Sequence, residues 1–571
     1  MNISLKQPHR IPVRGTTALY TLLICLCYLI TQFILIPQTI ITADEFVFMR
    51  HLLDYTHLMP YQDFLPYKST LGHYVLAIPL FFSQSLLAPI FYIKMEIACI
   101  NTLGIALAIY WASKFFDKKA VLLTTLAILT NQFSIFYMSD LRVDMLAAWF
   151  CLFAALSILQ QRLPLAGILI GIAFLISQKA LWYVLAINGA MCICWWTLSS
   201  YRLRGLLTLN SCTAGVVIAY LAFWSLLTSP SIVLSNFFYD AYIQAGINYY
   251  MQIYAPLWLM MLSHGPILFL LWPFTFIVLF DKSVPAINEQ RLFTITFSAI
   301  ALILFISYKQ AFPYNFVFTL PAFFLCYSAF FTWLAEHKRL NKTYLTIFYV
   351  SFTLLGIIWP FYLTWQAKNQ FNGYYQQTMM QLTADLTQDG SDYIAGVPLL
   401  YGKDQPIAGI KNLINPQIVY LDTQNKQLAP LLLPSIYLSA TTAAAVVDDL
   451  ERSNVKVFIT NYRTKALSAS ILKYISDHYQ HYYGSVYLYA PKIDAEQLSF
   501  HLKFTARYRI EAKVNTVIKI DHQRRLTGQV ISLRKGDHLS NAKMNYRLVL
   551  IPSEAPTLDS RYEKDEWLKT L

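Results

Sequence analysis

Charge is what this chain has least of. Asp, Glu, Lys and Arg make up 13% of its 571 residues, against roughly 25% in a soluble globular protein. Cysteine is confined to one part: the eight cysteines end at Cys326, so the last 245 or so residues hold no disulfide framework. Cys192 and Cys194 lie inside an apolar run and read as packing, not as a metal or redox pair. No Gly-rich phosphate loop, no nucleophile elbow and no His/Cys ligand spacing is present. His73 and His264 stand alone. These absences exclude a nucleotide-binding loop enzyme, a serine hydrolase and a zinc site of ordinary pattern. No internal repeat and no low-complexity linker is visible either.

Apolar and aromatic residues fill the space. Hydrophobic residues are 56% and aromatic residues 16% of the chain, with a mean hydropathy of +0.44. This composition predicts a polytopic membrane protein, with Tyr and Trp at the membrane–water boundaries. The formal charge of +13 does not indicate nucleic acid, because the basic residues sit between apolar segments and no nucleic-acid fold signature accompanies them.

Charge-poor stretches long enough to cross a bilayer fall at about 18–41, 95–113, 120–138, 145–160, 164–178, 180–198, 206–228, 261–280, 292–307, 314–334 and 343–363. The first follows Arg10 and Arg14 and is about twice the length of a signal-peptide core, so it is expected to be retained. A twelfth run, 71–88, is ambiguous. Placing the N-terminus inside and keeping 71–88 from crossing puts every basic group on the cytoplasmic side: Lys114/Lys118/Lys119, Arg162, Arg202/Arg204, Lys282/Arg291 and Lys338/Arg339/Lys342. The bias of cytoplasmic loops toward Lys and Arg favours that topology. The expected fold is therefore about eleven transmembrane helices with interfacial helices in the first outer loop, over residues 1–363. A polar extracytoplasmic domain follows over 364–571, with an α/β part at 364–492 and a β-rich part at 493–571. Runs at 393–399, 417–421, 455–460 and 485–490 read as strands, and 440–452 and 466–479 as helices.

Under this topology several ionisable residues share the outer face. Asp44-Glu45 follows the first helix. Ser139-Asp140-Leu141-Arg142-Val143-Asp144 occupies a tight outer junction, where Asp144 can cap the next helix and Arg142 can pair with either acid. The first outer loop carries Pro60-Tyr61-Gln62-Asp63-Phe64, then Tyr67-Lys68 and His73-Tyr74. Ser307-Tyr308-Lys309 leads to Pro313-Tyr314 and Pro321. Lys179 is another outer cation; Lys94 and Glu96 read as a local pair. Each residue has an ordinary explanation, as a helix cap, a solvated end or a snorkelling cation. A Lys beside aromatic rings at the interface can equally hold a lipid phosphate.

In order and sidedness these motifs resemble the C-type glycosyltransferases, polytopic enzymes that use polyprenyl-phosphate-linked sugars. The resemblance is to the bacterial protein mannosyltransferase and lipid A aminoarabinose transferase group, and covers about residues 15–363. Asp44-Glu45, Pro60-Tyr61-Gln62-Asp63-Phe64, Tyr67-Lys68, Asp140 and Asp144, and Ser307 to Pro321 carry it. The chain departs from the aminoarabinose transferases at Tyr67-Lys68-Ser69, where they have Glu-Lys-Pro, and at Phe46 and Val47, where they have an Arg. The resemblance implies inverting transfer of a sugar from a polyprenyl-phosphate donor to a cell-envelope acceptor, a glycolipid, glycan or protein. The location it implies is the outer face of a bacterial inner membrane. It implies Asp44 as general base, with Glu45 and Asp144 shaping the site. It also implies Lys68, Lys309 and Arg142 on the donor phosphate, with Asp140, Tyr67, His73 and Tyr314 lining the substrate. No cofactor is required by this reading; it leaves a divalent cation open. The competing classes are a transporter or flippase of lipid-linked substrates and a membrane-anchored envelope assembly protein. Transporters favour midplane charges and repeated halves, which the sequence does not display.

Overall fold

A computed structural model describes residues 15–64, 66, 70–82, 89–198, 203–240, 266–280, 289–306, 313–336, 341–367, 373–395, 397, 399–400, 440–460, 464 and 467–552. The chain forms two compact units. The first comprises Met1–Thr39, His51–Gln84 and Ala88–Phe371; the second comprises Ile40–Arg50, Ser85–Leu87 and Asn372–Leu571.

The first unit is helical. Its leading elements are α1 (Gly15–Leu35), α2 (Ala43–His57, whose first half belongs to the second unit), α3 (Leu71–Leu76), α4 (Pro89–Ala112) and α5 (Lys118–Leu129). They are followed by α6 (Gln132–Tyr137), α7 (Asp144–Leu159), α8 (Leu163–Ile176), α9 (Leu181–Leu198) and α10 (Leu203–Leu227). Further helices include Glu289–Ile306, Leu320–Glu336 and Lys342–Thr353. Among the described residues seven helices are long and apolar enough to cross a membrane, and Asp144–Leu159, Leu163–Ile176 and Pro266–Phe280 are shorter apolar helices. The chain is thus a multi-pass membrane protein.

Ten of the eleven expected crossings correspond to these helices. The eleventh, 120–138, is broken. Asn131 stops it by extending its backbone and accepting the Phe133 N–H on its side chain, which starts α6 anew. This is the turn chemistry that Asn brings to a helix boundary. The ambiguous run at 71–88 is also broken: α3 ends at Leu76, and a 3-10 turn over Ile78–Phe81 carries Pro79. Neither α3 nor that turn is long enough to span a bilayer.

Small residues set the closest helix contacts. A Cβ on Gly167 would lie 2.3 Å from the Leu209 carbonyl oxygen, and one on Gly171 would lie 2.9 Å from Val216 Cβ. These glycines, four apart on α8, let α10 approach backbone to backbone, the G-x-x-x-G geometry of membrane helix pairs. Thr213 Oγ1 donates to the Gly167 carbonyl across that contact, at 3.1 Å.

In the second unit a four-stranded sheet has the order β1-β2-β4-β3 (Asp392–Ile394, Val455–Ile459, Val486–Tyr489, Tyr479–Tyr483). β1 and β2 are parallel and the other pairs antiparallel. Helices Ala440–Arg452 and Ala469–His478 flank β2 in sequence. Two more four-stranded sheets follow. One pairs Val530–Leu533, Ala506–Ala512, Tyr546–Ile551 and Lys492–Ile493; the other pairs Ser499–Leu502, Gly536–Asn541, Val517–Ile520 and Gln523–Leu526. Phe500, Leu502, Ile518 and Ile520 are buried while their strand neighbours are exposed. That alternation buries one face of each strand. The strand expected at 417–421 lies outside the described residues.

Candidate active site

The acidic motif of Asp140 and Asp144 folds into a charged cluster inside the first unit. Between α6 and α7 the chain turns tightly, with the Arg142 N–H donating to the Asp140 carbonyl at 2.7 Å. Asn101 of α4 holds this turn: its side-chain amide donates to the Met138 carbonyl and to the Tyr28 hydroxyl, and its oxygen accepts from the Trp149 indole. Gly104 makes room for that indole, since a Cβ there would stand 2.5 Å from it. A buried amide satisfied on three sides fixes the junction in one conformation.

Asp144 is the first residue of α7 and is buried. The position suits a carboxylate, because the helix N-terminus carries partial positive charge. Its side-chain oxygens meet groups from other segments. Oδ1 accepts from Ser177 Oγ at 2.9 Å; Oδ2 accepts from Lys179 Nζ at 2.9 Å and lies 3.5 Å from Arg142 Nε. Ser177 and Lys179 come from the junction of α8 and α9. Ser177 leaves helical geometry (φ −145°, ψ 121°) and a 3-10 turn over Gln178–Ala180 follows, which carries Lys179 to the acid. Lys179 also donates to Asn315 Oδ1 at 2.7 Å. The Arg142 guanidinium lies 3.3 Å from the centre of the Tyr314 ring, a cation–π contact strengthened by desolvation. Lys94 Nζ stands 3.9 Å from Asp140 Oδ1. The expected Lys94–Glu96 pair is corrected: residues two apart on a helix face different directions, and Lys94 meets Asp140 instead.

The structure thus brings together Asp140, Arg142, Asp144 and Tyr314 of the expected residues. Lys179 had stood only as an outer cation, and Ser177 and Asn315 were not anticipated. Their signal was weak: Ser177 and Lys179 bracket one residue between two apolar runs, and Asn315 follows Pro313-Tyr314.

His73 is buried in an aromatic group, stacked on Tyr55 with ring centres 5.2 Å apart. Nearby, the Tyr220 hydroxyl meets those of Tyr61 and Thr70, each at 3.0 Å. Gly72 ties this group to the charged turn, since a Cβ there would lie 2.8 Å from Val143 Cγ1 and 3.0 Å from Ile176 Cγ2. Those two residues adjoin Asp144 and Ser177. Tyr67, Lys68 and Lys309 lie outside the described residues.

Asp44 and Glu45 belong to the second unit. Glu45 has a defined job there. Its Oε2 accepts the Thr42 N–H at 2.7 Å, while Thr42 Oγ1 accepts the Glu45 N–H at 3.3 Å. This is a capping box, two donors at a helix start satisfied reciprocally. The Ile41 backbone just before it is clamped by Gln376, which accepts from its N–H at 2.6 Å and donates to its carbonyl at 3.0 Å. Asp44, within the first turn of α2, is half-buried. Glu45→Gln keeps a side chain that can fill the capping box. We expect its thermal midpoint and its turnover to stay near wild type, whereas Glu45→Ala loses about 1 kcal/mol of stability, measured by thermal unfolding. Loss of turnover in a fully stable Glu45→Gln would make the carboxylate chemical.

Among the described residues no three His, Cys, Asp or Glu side chains gather in a set that could hold a metal.

No family model matches the chain, and no curated protein matches it. Solved structures do, each at 12% identity. One is ArnT from Cupriavidus metallidurans bound to undecaprenyl phosphate, with a TM-score of 0.42 over 81% of this chain and 88% of that one. Another is the oligosaccharyltransferase of Archaeoglobus fulgidus in its apo form, with a TM-score of 0.47 over 92% of this chain and 76% of that one. The same oligosaccharyltransferase tethered to an acceptor peptide containing an NVT sequon gives 0.45 with the same coverage.

Proposed function

We propose that this protein is an integral membrane glycosyltransferase that moves a sugar from a polyprenyl-phosphate carrier to a cell-envelope acceptor, with inversion, on the outer face of the inner membrane. The observation that carries the reading is the buried group of Arg142, Asp144 and Lys179 with Asn315 and Tyr314, set where helices end. Ionisable residues in a membrane domain are costly to keep and mark functional sites. Here they gather around tight turns, in positions suited to a lipid headgroup. The order of acids and cations along the chain supports the same reading.

In the proposed reaction the acceptor hydroxyl oxygen attacks the anomeric carbon from the face opposite the phosphate. A new glycosidic C–O bond forms as the bond from the anomeric carbon to the phosphate oxygen breaks. The hydroxyl proton passes to Asp44 as general base, and the electron pair leaves with the polyprenyl phosphate. Lys68, Lys309 and Arg142 are assigned to that developing charge. Lys179 and Asp144 position Arg142: a carboxylate shared between two cations fixes both heads.

The test supplies purified protein with a polyprenyl-phosphate-linked radiolabelled sugar and an envelope extract. Label appearing in the extract, together with free polyprenyl phosphate, is expected. If the intact donor instead crosses a vesicle bilayer uncleaved, the protein is a flippase.

A further inference from the structure

A lipid-sized space lies in the first unit, away from the charged cluster. It is a groove of about 550 Å³ between α1, α4 and the start of α5, within the range of small-molecule sites. Leu22, Leu103 and Ile109 wall it, and Tyr110, Ser113 and Lys118 lie at one end. Leu22 and Leu103 are 55% and 61% exposed, so the groove opens sideways to whatever surrounds the helices. In a membrane domain that is lipid.

The two ends of α4 separate this groove from the cluster. Lys94 near its start meets Asp140, whereas Ser113 follows its end. Nineteen residues at about 1.5 Å each make roughly 28 Å, close to the thickness of a hydrocarbon core. The polar end of the groove therefore sits at the opposite membrane boundary from the cluster.

That end is built to meet an anion. Residues 114–119 hold Lys114, Lys118 and Lys119 against the single acid Asp117. Asp117 caps α5, accepting the Lys119 and Ala120 N–H groups on its side chain. The half-buried Lys118 lines the groove itself. Beside it the Ser113 hydroxyl is buried with no hydrogen-bond partner among the described residues. An ammonium and an unused hydroxyl at the mouth of an apolar groove match one phosphate on an acyl chain.

We infer that this groove binds an anionic glycerophospholipid, with an acyl chain between α1 and α4 and its phosphate on Lys118 and Ser113. The inference does not depend on the reaction proposed above. The test places the full chain in nanodiscs of phosphatidylglycerol or phosphatidylcholine, each doped with the matching lipid bearing an acyl-chain diazirine. Crosslinks on α1 and α4 groove residues are mapped after photolysis. Phosphatidylglycerol should label them about fivefold more, the effect of one lysine near an anionic headgroup. Lys118→Glu should remove that preference, while Lys119→Glu, on an exposed neighbour that does not line the groove, should keep it. Equal labelling by the two lipids overturns the proposal, and this comparison needs only wild-type protein. Loss of preference in Lys119→Glu with retention in Lys118→Glu also overturns it, because the attraction would then be a general surface effect.

Discussion

Asp44→Asn is expected to lower sugar transfer by at least about a hundredfold, the usual contribution of a positioned general base, while the protein still inserts and accumulates. The substitution removes the ability to accept a proton while keeping nearly the same size and shape. Asp44 sits in the first turn of α2, but the cap there is made by Thr42 and Glu45, so an amide in place of the carboxylate disturbs no hydrogen bond of that box. The measurement is initial rate with saturating lipid-linked donor, beside a thermal unfolding curve. Near wild-type turnover in the folded variant would remove Asp44 from the chemistry. A fall confined to KM would make it an acceptor-binding group, since an interaction made only in the transition state lowers kcat.

The second large effect concerns Asp144. It is buried, and two cations share its Oδ2. Asp144→Ala takes away the carboxylate that both face, a change that costs about 3–5 kcal/mol when one partner of a buried ion pair is deleted. We expect a marked loss of thermal stability. Lys179→Met should be destabilising too, though less so, because Arg142 still faces the acid. The double variant should recover part of the loss, giving a coupling energy of at least about 1 kcal/mol in the cycle. Transfer should not recover with stability, because Arg142 would no longer be held. Additive losses would show that Asp144 and Lys179 are neighbours without a working ion pair. Recovered transfer in the double variant would show that the pair does not position the site.

The sequence made the membrane character and the helix plan legible for a simple physical reason. Burying charge in hydrocarbon is costly wherever it happens, so every crossing must leave a charge-poor run of fixed length. The same reasoning identified 71–88 as a non-crossing segment, because a topology is constrained by all its loops at once. It missed the interruption within 120–138, where Asn131 breaks an apolar run by a local hydrogen bond that hydropathy does not register. Glu45 is the reverse case. Its spacing from Thr42 is the capping-box pattern, which the acidic character of Asp44-Glu45 masks in the sequence and the bond to the Thr42 N–H reveals.

By itself, then, the sequence indicated the class of fold, a non-crossing reading of 71–88 and a set of acids and cations on one expected face. Tertiary structure alone decided which of them meet. Asp144 finds Ser177 and Lys179, more than thirty residues on, because Ser177 leaves the helix and turns the chain back. Gly72 adds the contact that sets α3 against that turn. Composition and spacing record the cost of placing each group in a membrane, one residue at a time. Pairing depends on distances between segments far apart in the chain, and those are fixed only when the helices pack.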